Sequence, residues 1–297
     1  MAIVLLAGLL AGCGGGSSSA AGGRLQVVAA ENFWGSIVRQ LAGNRADVSS
    51  IISNPSTDPH DYEPTAQDAR TIASSQLVVL NGAGYDGWAQ KLVDANPDPH
   101  RVVLNVGDIV HVAAGGNPHQ WYSPSSVEAF IRAATARLQR LDPGNATYYA
   151  NQQTRYESTG LRQYRELIAS IRAKYSGTPI GASESIVTPL ATALGLTMET
   201  PETFLDAIAE GNDPTAGDKA LADEQVNARK IAVFVYNSQN ATPDVKRLLD
   251  AAKKVGIPVT TVTETLTPAG ATFQAWQSRQ LRQLRDALAA AKAAASS

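Results

Sequence analysis

Apolar and polar positions alternate along most of this chain in blocks that predict a strand followed by a helix. The first block, residues 25–30, is almost continuously apolar and predicts a buried strand. Phe33, Ile37 and Leu41 then recur at helical spacing up to Gly43. The same succession continues, with further strands predicted at 48–52, 76–80, 101–106, 179–183, 196–199, 231–236 and 258–262. Alternating strands and helices predict an α/β fold with mostly parallel sheets.

Residues 146–175 depart from this alternation. They contain no proline and one glycine, Gly160, and their apolar positions keep a helical rhythm throughout. At about 1.5 Å per residue such a helix spans roughly 40 Å, which is long enough to run along two lobes. A chain of 297 residues also exceeds one comfortable hydrophobic core. We therefore predict an N-terminal lobe at 25–145 and a C-terminal lobe at 176–297, each a mostly parallel sheet flanked by helices, joined by one long spanning helix.

The beginning of the chain has the pattern of a bacterial lipoprotein signal. An apolar run at 3–10 leads through small residues to Cys13, and a Gly/Ser-rich tract follows. We predict a signal peptide at 1–12, diacylglycerol on the Cys13 thiol, and a flexible tether at 13–24. No other stretch approaches the roughly 18 apolar residues of a membrane-spanning helix. The protein is therefore expected outside the cytoplasm, lipid-anchored to the bacterial cell membrane.

Composition narrows the range of partners. The 25 Lys and Arg residues nearly balance the 27 Asp and Glu residues, so no electrostatic footprint for a nucleic acid is present. Hydrophobic residues make up 44% of the chain and charged residues 18%, which indicates packed cores. We expect a globular monomer without a nucleic-acid partner.

Two of the four histidines stand in matching surroundings. His60 and His119 each follow a proline, in loops that come after a predicted strand and before a predicted helix. Such loops collect at the carboxyl edge of an α/β sheet, where ligands bind. A proline before the histidine also restricts the backbone that positions the ring. His100 follows Pro99 but precedes a predicted strand, and His111 follows no proline, so neither combines the two features and we expect neither to bind a metal.

The C-terminal lobe contains no histidine, so a ligand from that side needs an oxygen donor. Glu184 and Glu264 each follow a predicted strand, although either alone fits a structural role at a helix start. Two imidazoles and two carboxylates would form a closed set whose charge neutralises a divalent cation. That set suits manganese, iron or zinc better than copper(I), magnesium or calcium.

These residues lie in stretches that resemble the solute-binding proteins of zinc and manganese ABC importers, the cluster A-I type, many of which are lipoproteins. The resemblance runs from about residue 25 to about 290, and the matching stretches are 27–34, 58–64, 81–88, 117–121 and 263–265. It implies that His60, His119, Glu184 and Glu264 bind Mn2+ or Zn2+. It also implies an ABC permease and its ATPase as partners.

The chain departs from the family at three places. Family members usually carry Asp where this chain has Asn117, so a carboxylate that orients His119 is missing and weaker metal binding is expected. Many zinc-specific members have a His-rich loop before the second Pro-His motif and a histidine at the Glu184 position. Both features are absent here, which favours manganese.

Three other interpretations fit parts of the sequence. A metal-dependent hydrolase could use the same ligands, although no His-Glu-x-x-His pair or Gly-x-Ser-x-Gly turn occurs. An adhesion lipoprotein with a structural metal is a further alternative. The stretch 82–87 matches the G-x-G-x-x-G pattern of dinucleotide-binding folds, but it follows the third strand, and no acidic residue ends a strand about 20 residues later.

Overall fold

Two four-stranded parallel sheets form the framework of the protein in a computed structural model that describes residues 24–55, 57, 59 and 62–296. The first sheet contains β1 (Leu25–Glu31), β2 (Ala46–Ile52), β3 (Leu77–Leu80) and β4 (Val102–Asn105), in the order β2-β1-β3-β4. The second contains β5 (Pro179–Ala182), β6 (Thr197–Met198), β7 (Val233–Asn237) and β8 (Val259–Val262), in the order β6-β5-β7-β8. The predicted α/β fold with two parallel sheets is confirmed. The predicted signal peptide, Cys13 and His60 lie outside the described residues.

Helices connect and cover the strands. They are α1 (Asn32–Ala42), α2 (Ala66–Ala73), α3 (Gly87–Ala95), α4 (Val106–Val110), α5 (Pro124–Leu141), α6 (Ala146–Arg155), α7 (Arg162–Tyr175), α8 (Thr188–Leu194), α9 (Glu202–Ala209), α10 (Ala216–Asn227), α11 (Pro243–Lys254) and α12 (Phe273–Ala295). Thr65 and Asp68 form a reciprocal capping box before α2, and Ser123 caps α5 with Pro124 in the first turn. Among the described helices, none is both long and apolar enough to cross a bilayer.

The predicted spanning helix is present, but it is interrupted. A π-helical turn at Tyr156–Gly160 separates α6 from α7, and the Leu161 amide donates to the Tyr156 carbonyl at 2.8 Å. The interruption falls at Gly160, where an added Cβ would lie 2.7 Å from the Tyr156 ring. α6 contacts α5 and α1 of the N-terminal half, whereas α7 contacts α12 and α8 of the C-terminal half. The two segments together therefore bridge both lobes.

One continuous hydrophobic cluster runs through both halves of the chain. It includes Phe33 and Trp34 on α1 together with Phe273 and Trp276 on α12. Polar bonds reinforce this contact, since the Leu266 amide donates to Asn32 Oδ1 at 3.1 Å. Such shared packing resists a wide separation of the lobes, because opening would expose large apolar side chains to water.

The strand order places ligand-binding positions at one edge of each sheet. Chain connections leave β1 and β3 in opposite directions, as they leave β5 and β7, so a crevice forms beyond the carboxyl ends of each strand pair. Loops from these two edges meet across the lobe boundary. The candidate site lies where they meet.

Candidate metal-binding site

His119 enters the site from the loop before α5, and its ring is completely buried. Asn117 Oδ1 accepts the His119 backbone N–H at 3.0 Å and lies 2.9 Å from His119 Nδ1. Because the backbone N–H can only donate, the atom that it meets on Asn117 must be the amide oxygen. An amide oxygen beside Nδ1 requires the proton on Nδ1. His119 Nε2 then carries the ring lone pair, which is the form that binds a metal ion.

Glu184 follows β5 and is also buried, with both carboxylate oxygens bonded to side-chain amides. Asn237 Nδ2 donates to Oε1 at 2.6 Å, and Asn240 Nδ2 donates to Oε2 at 2.6 Å. Asn237 Oδ1 accepts the Gln239 backbone N–H, and Asn240 Nδ2 also donates to the Ile208 carbonyl. These bonds fix the orientation of both amides, so that N–H groups face a carboxylate. Such donors match an ionised Glu184.

Glu264 follows β8 and accepts a hydrogen bond from the Asn237 amide that also bonds to Glu184. Asn237 Nδ2 donates to Glu264 Oε1 at 3.0 Å, and Tyr85 Oη donates to Oε2 at 2.8 Å. Gln239 Oε1 accepts the backbone N–H groups of Glu264 and Thr265. Glu264 is therefore held by its own lobe through Asn237 and Gln239, and by the N-terminal lobe through Tyr85.

Shared neighbours bring three of the four predicted ligands together. Tyr85 bonds to Glu264, and its ring centroid lies 6.1 Å from that of His119. Asn237 joins Glu184 to Glu264. His60 lies outside the described residues, so the complete four-residue set stays a prediction. The two remaining histidines, His100 and His111, are exposed.

The sequence analysis missed the amide groups that hold the carboxylates. Asn237 is the last residue of the buried strand β7, and Gln239 and Asn240 follow it directly. A polar amide run at the carboxyl end of a central strand was the available signal, since such positions face the ligand crevice. Asn240 also begins a glycosylation-like triplet, and in the structure its side chain bonds to Glu184.

A third buried glutamate, Glu31, lies at the carboxyl end of β1 and is completely buried. Burial, followed by the charge of Asp86, raises the pKa of Glu31 well above its usual value. Burial also raises the pKa of Asp86 to about 6, although backbone N–H groups of Gly82 and Asn81 oppose the shift. The charge of Asp86 acts on the buried Glu31, so the two carboxyl groups are stable side by side only when one of them holds a proton. Both Asp86 oxygens accept backbone N–H groups, from Asn81 and Gly82, which matches an ionised Asp86 and leaves the proton on Glu31.

In the first turn of the glycine-rich loop at 82–87, the backbone N–H groups that could bind a nucleotide phosphate are already hydrogen-bonded within the protein. Gly82 and Gly84 adopt φ angles of 73° and 91°, which L-residues with side chains rarely adopt. The backbone N–H groups of Asn81 and Gly82 donate to the Asp86 carboxylate at 2.7 and 2.8 Å. An internal carboxylate thus takes donors that a phosphate would need. The loop positions Tyr85 instead.

A cavity of about 350 Å³ opens beside the three ligands. Tyr85, Asn117 and Ser185 form part of its wall, together with Glu202 and Asp206 of α9 and Glu210 directly after that helix. Burial and the charges of the two flanking glutamates raise the pKa of Asp206, while a hydrogen bond with Ser185 opposes the shift. The carboxylates make this cavity favourable for a cation.

Comparison with solved structures identifies the class of fold. A manganese-bound periplasmic metal-binding protein from Candidatus Liberibacter asiaticus superposes with a TM-score of 0.74 at 20% identity. The alignment covers 90% of this chain and 100% of that protein. At this identity the likeness establishes the fold, two α/β lobes with a connecting helix.

Comparison of sequences establishes the family. Residues 27–287 match the family described as ZnuA, zinc-uptake complex component A, periplasmic, and the chain belongs to that family. The metal ABC transporter substrate-binding lipoprotein FimA of Streptococcus parasanguinis is 26% identical over 86% of this chain and 85% of its own length. The manganese ABC transporter substrate-binding lipoprotein PsaA of Streptococcus pneumoniae is 24% identical over 75% of this chain and 81% of its own length. The resemblance inferred from the sequence motifs is thus confirmed.

Proposed function

We propose that this protein captures a divalent transition metal ion, manganese or zinc, between its lobes and delivers it to an ABC importer. One observation carries the proposal. A single amide nitrogen, Asn237 Nδ2, bonds to two buried carboxylates from different loops, Glu184 and Glu264. Two ionised carboxylates so close together repel each other, and one neutral amide offsets that repulsion only in part. A divalent cation between them would neutralise both charges.

The donor types agree with this cargo. Glu184 and Glu264 supply oxygen, His119 presents the Nε2 lone pair, and we assign His60 as the fourth ligand from its matching Pro-His loop. A mixed nitrogen and oxygen set suits manganese or zinc, and it lacks the sulfur that copper(I) prefers. The relatives' names point to the same metals, since the family is described by zinc uptake and PsaA by manganese.

The acidic cavity beside the ligands fits an approach route for the ion. Glu202, Asp206 and Glu210 line this cavity together with Tyr85 and Asn117. A cation drawn by these carboxylates would arrive next to the residues that position His119 and Glu264.

Transport by such a protein requires capture and release without a chemical reaction, so we propose no enzymatic activity. We infer a permease and its ATPase as partners from the family, and lipid attachment at Cys13 from the signal pattern. The protein would then work as a monomer on the outer face of the membrane. Mass spectrometry of membrane-extracted protein tests the anchor, because we expect a diacylglyceryl thioether on Cys13 and loss of membrane association in Cys13→Ala.

Elemental analysis tests the cargo. We expect protein purified from its native envelope to contain about one manganese or zinc ion per chain, and a titration of one metal against the other to show competition for one site. Reversible exchange with a chelator under native conditions supports transport, whereas a metal removed only by unfolding indicates a structural role. Failure to bind either ion at micromolar concentration would overturn the proposal.

A further inference from the structure

Asn117 makes a bond across the lobe boundary in addition to its contacts with His119. Its Nδ2 donates to the Ser185 carbonyl at 2.8 Å, and Ser185 is the residue directly after Glu184. The orientation of the amide is set on both sides, since Oδ1 meets a backbone N–H and Nδ2 meets a backbone carbonyl. One side chain therefore connects the segments that carry His119 and Glu184.

We infer that Asn117 is an inter-lobe latch, a positioning residue that holds the His119 loop against the Glu184 segment before metal arrives. The inference rests on the proposed metal site, because the latch acts through two of its ligands. An aspartate at this position would keep the acceptor for His119 but could not donate to Ser185. Its negative oxygen would face a carbonyl oxygen instead, and the two would repel.

The latch changes the expected consequence of finding Asn rather than Asp at this position. From the sequence alone, Asn117 weakens metal binding, because a carboxylate that orients His119 is missing. In the structure the amide oxygen supplies that orientation at 2.9 Å, and the amide nitrogen adds a contact that aspartate cannot make. The residue therefore favours a closed arrangement of the ligands in the metal-free protein, and it slows the opening through which a bound ion leaves.

The variant Asn117→Asp separates the latch from the orientation of His119. The matched control is Asn96→Asp, because Asn96 Nδ2 also donates to a backbone carbonyl, that of Leu92 at 2.8 Å, within the N-terminal lobe. Both variants add one negative charge and remove one amide donor. Only Asn117→Asp removes an amide donor that bonds across the lobe boundary.

The first measurement is hydrogen exchange on the metal-free full-length protein. We expect the backbone amides of 117–123 and 183–190 to exchange several-fold faster in Asn117→Asp than in the wild type, and to be unchanged in Asn96→Asp. Asn117→Ala introduces no charge and is expected to show the same acceleration. If Asn117 only orients His119, this variant will accelerate exchange at 117–123 and leave 183–190 unchanged, so the test stays decisive if the aspartate variant does not fold.

The second measurement is the rate at which zinc-loaded protein releases Zn2+ to excess chelator in a stopped-flow experiment. Loss of the latch should accelerate release about tenfold, the effect of losing one hydrogen bond and gaining a repulsive contact. If Asn117 serves only to orient His119, Asn117→Asp will match the wild type in both measurements, and the latch is refuted. A wild type that binds no zinc refutes the proposed function, while the exchange data still decide the latch.

Discussion

The two sheets share a strand order and carry a glutamate at the same topological position, but its surroundings differ. Glu31 ends β1 and Glu184 follows β5, and in each sheet an asparagine, Asn81 or Asn237, lies at the end of the neighbouring strand. Burial and the charge of Asp86 raise the pKa of Glu31, so that pair of carboxyl groups favours holding a proton. Glu184 meets amide donors from two asparagines.

Strand topology therefore sets the position of each glutamate, and the neighbouring side chains decide whether it is protonated or ionised. Asn81 accepts from Trp34 and donates to the Pro118 carbonyl, so it supports the loop that carries His119. Asn237 instead faces two carboxylates. The N-terminal sheet edge thus gives a scaffold that presents imidazole, while the C-terminal edge gives the two carboxylates that a divalent cation requires.

The largest expected effect follows from removing a ligand. His119→Ala should weaken Mn2+ and Zn2+ binding roughly hundredfold or more, since one of about four ligands is lost. Isothermal titration checks the dissociation constants. The exposed His100 gives the control, because His100→Ala should leave them unchanged. Equal losses of affinity in the two variants would mean that His119 is wrongly assigned as a metal ligand.

A second variant tests the amide donors of the C-terminal lobe. Asn237→Asp places a third carboxylate against Glu184 and Glu264, and we expect the metal-free protein to lose about 3 kcal/mol of unfolding free energy. Chemical denaturation measures this loss, with Asn96→Asp as the control for charge. Because bound metal offsets the repulsion, the loss should shrink when Mn2+ is added. A variant as stable as the control would contradict the role of Asn237.

The protonated pair of carboxyl groups in the N-terminal lobe predicts that the unfolding free energy depends on pH. The pKa of Asp86 is raised to about 6 and that of Glu31 is raised well above 4.5, so the stability from this pair is complete near pH 4 and is lost as pH rises through 6 and beyond. Glu31→Gln replaces the carboxyl group by an amide, whose N–H can donate to Asp86 at any pH. The variant should therefore exceed the wild type by about 1–3 kcal/mol at pH 8 and by less at pH 5.

Thermal unfolding across this pH range checks the prediction. Glu166→Gln, at an exposed position on α7, gives the matched control and should follow the wild type. A stability difference between Glu31→Gln and the wild type that does not change with pH would show that no proton is shared.

The smallest effect on metal binding is expected from removing the hydrogen bond that joins Tyr85 of the N-terminal lobe to Glu264 of the C-terminal lobe. Tyr85→Phe removes the hydroxyl that donates to Glu264 Oε2 at 2.8 Å and keeps the ring packing. One lost hydrogen bond should weaken metal binding about five- to tenfold. Titration of the variant beside His119→Ala ranks the two effects. An effect as large as that of His119→Ala would assign Tyr85 a direct part in metal binding.

The sequence was sufficient for the parts of the fold that depend on periodicity. The apolar run at 25–30 predicted β1, which lies at Leu25–Glu31. The short strand β7 was predicted at 231–236 and lies at Val233–Asn237, because a run of apolar residues does not mark where strand pairing begins. The π-helical turn at Tyr156–Gly160 was also missed, since it depends on a ring packed over Gly160.

In the candidate site, too, the sequence predicts some features and cannot predict others. His119, Glu184 and Glu264 could be proposed from strand ends and motif spacing. The partners of those residues could not, because hydrogen bonds such as that from Asn117 to Ser185 join positions far apart in the chain. The state of Glu31 was equally out of reach, since it depends on Asp86, which approaches only after β1 and β3 have paired.

X-ray absorption spectroscopy on the metal-loaded protein tests the central claim, that imidazoles of one lobe and carboxylates of the other hold one ion. With Mn2+ or Zn2+ bound, we predict a first coordination shell of nitrogen and oxygen only, with the outer-shell scattering of two imidazole rings. In His119→Ala the imidazole contribution should fall to one ring. A sulfur shell, or an imidazole signal unchanged by this substitution, would contradict the account.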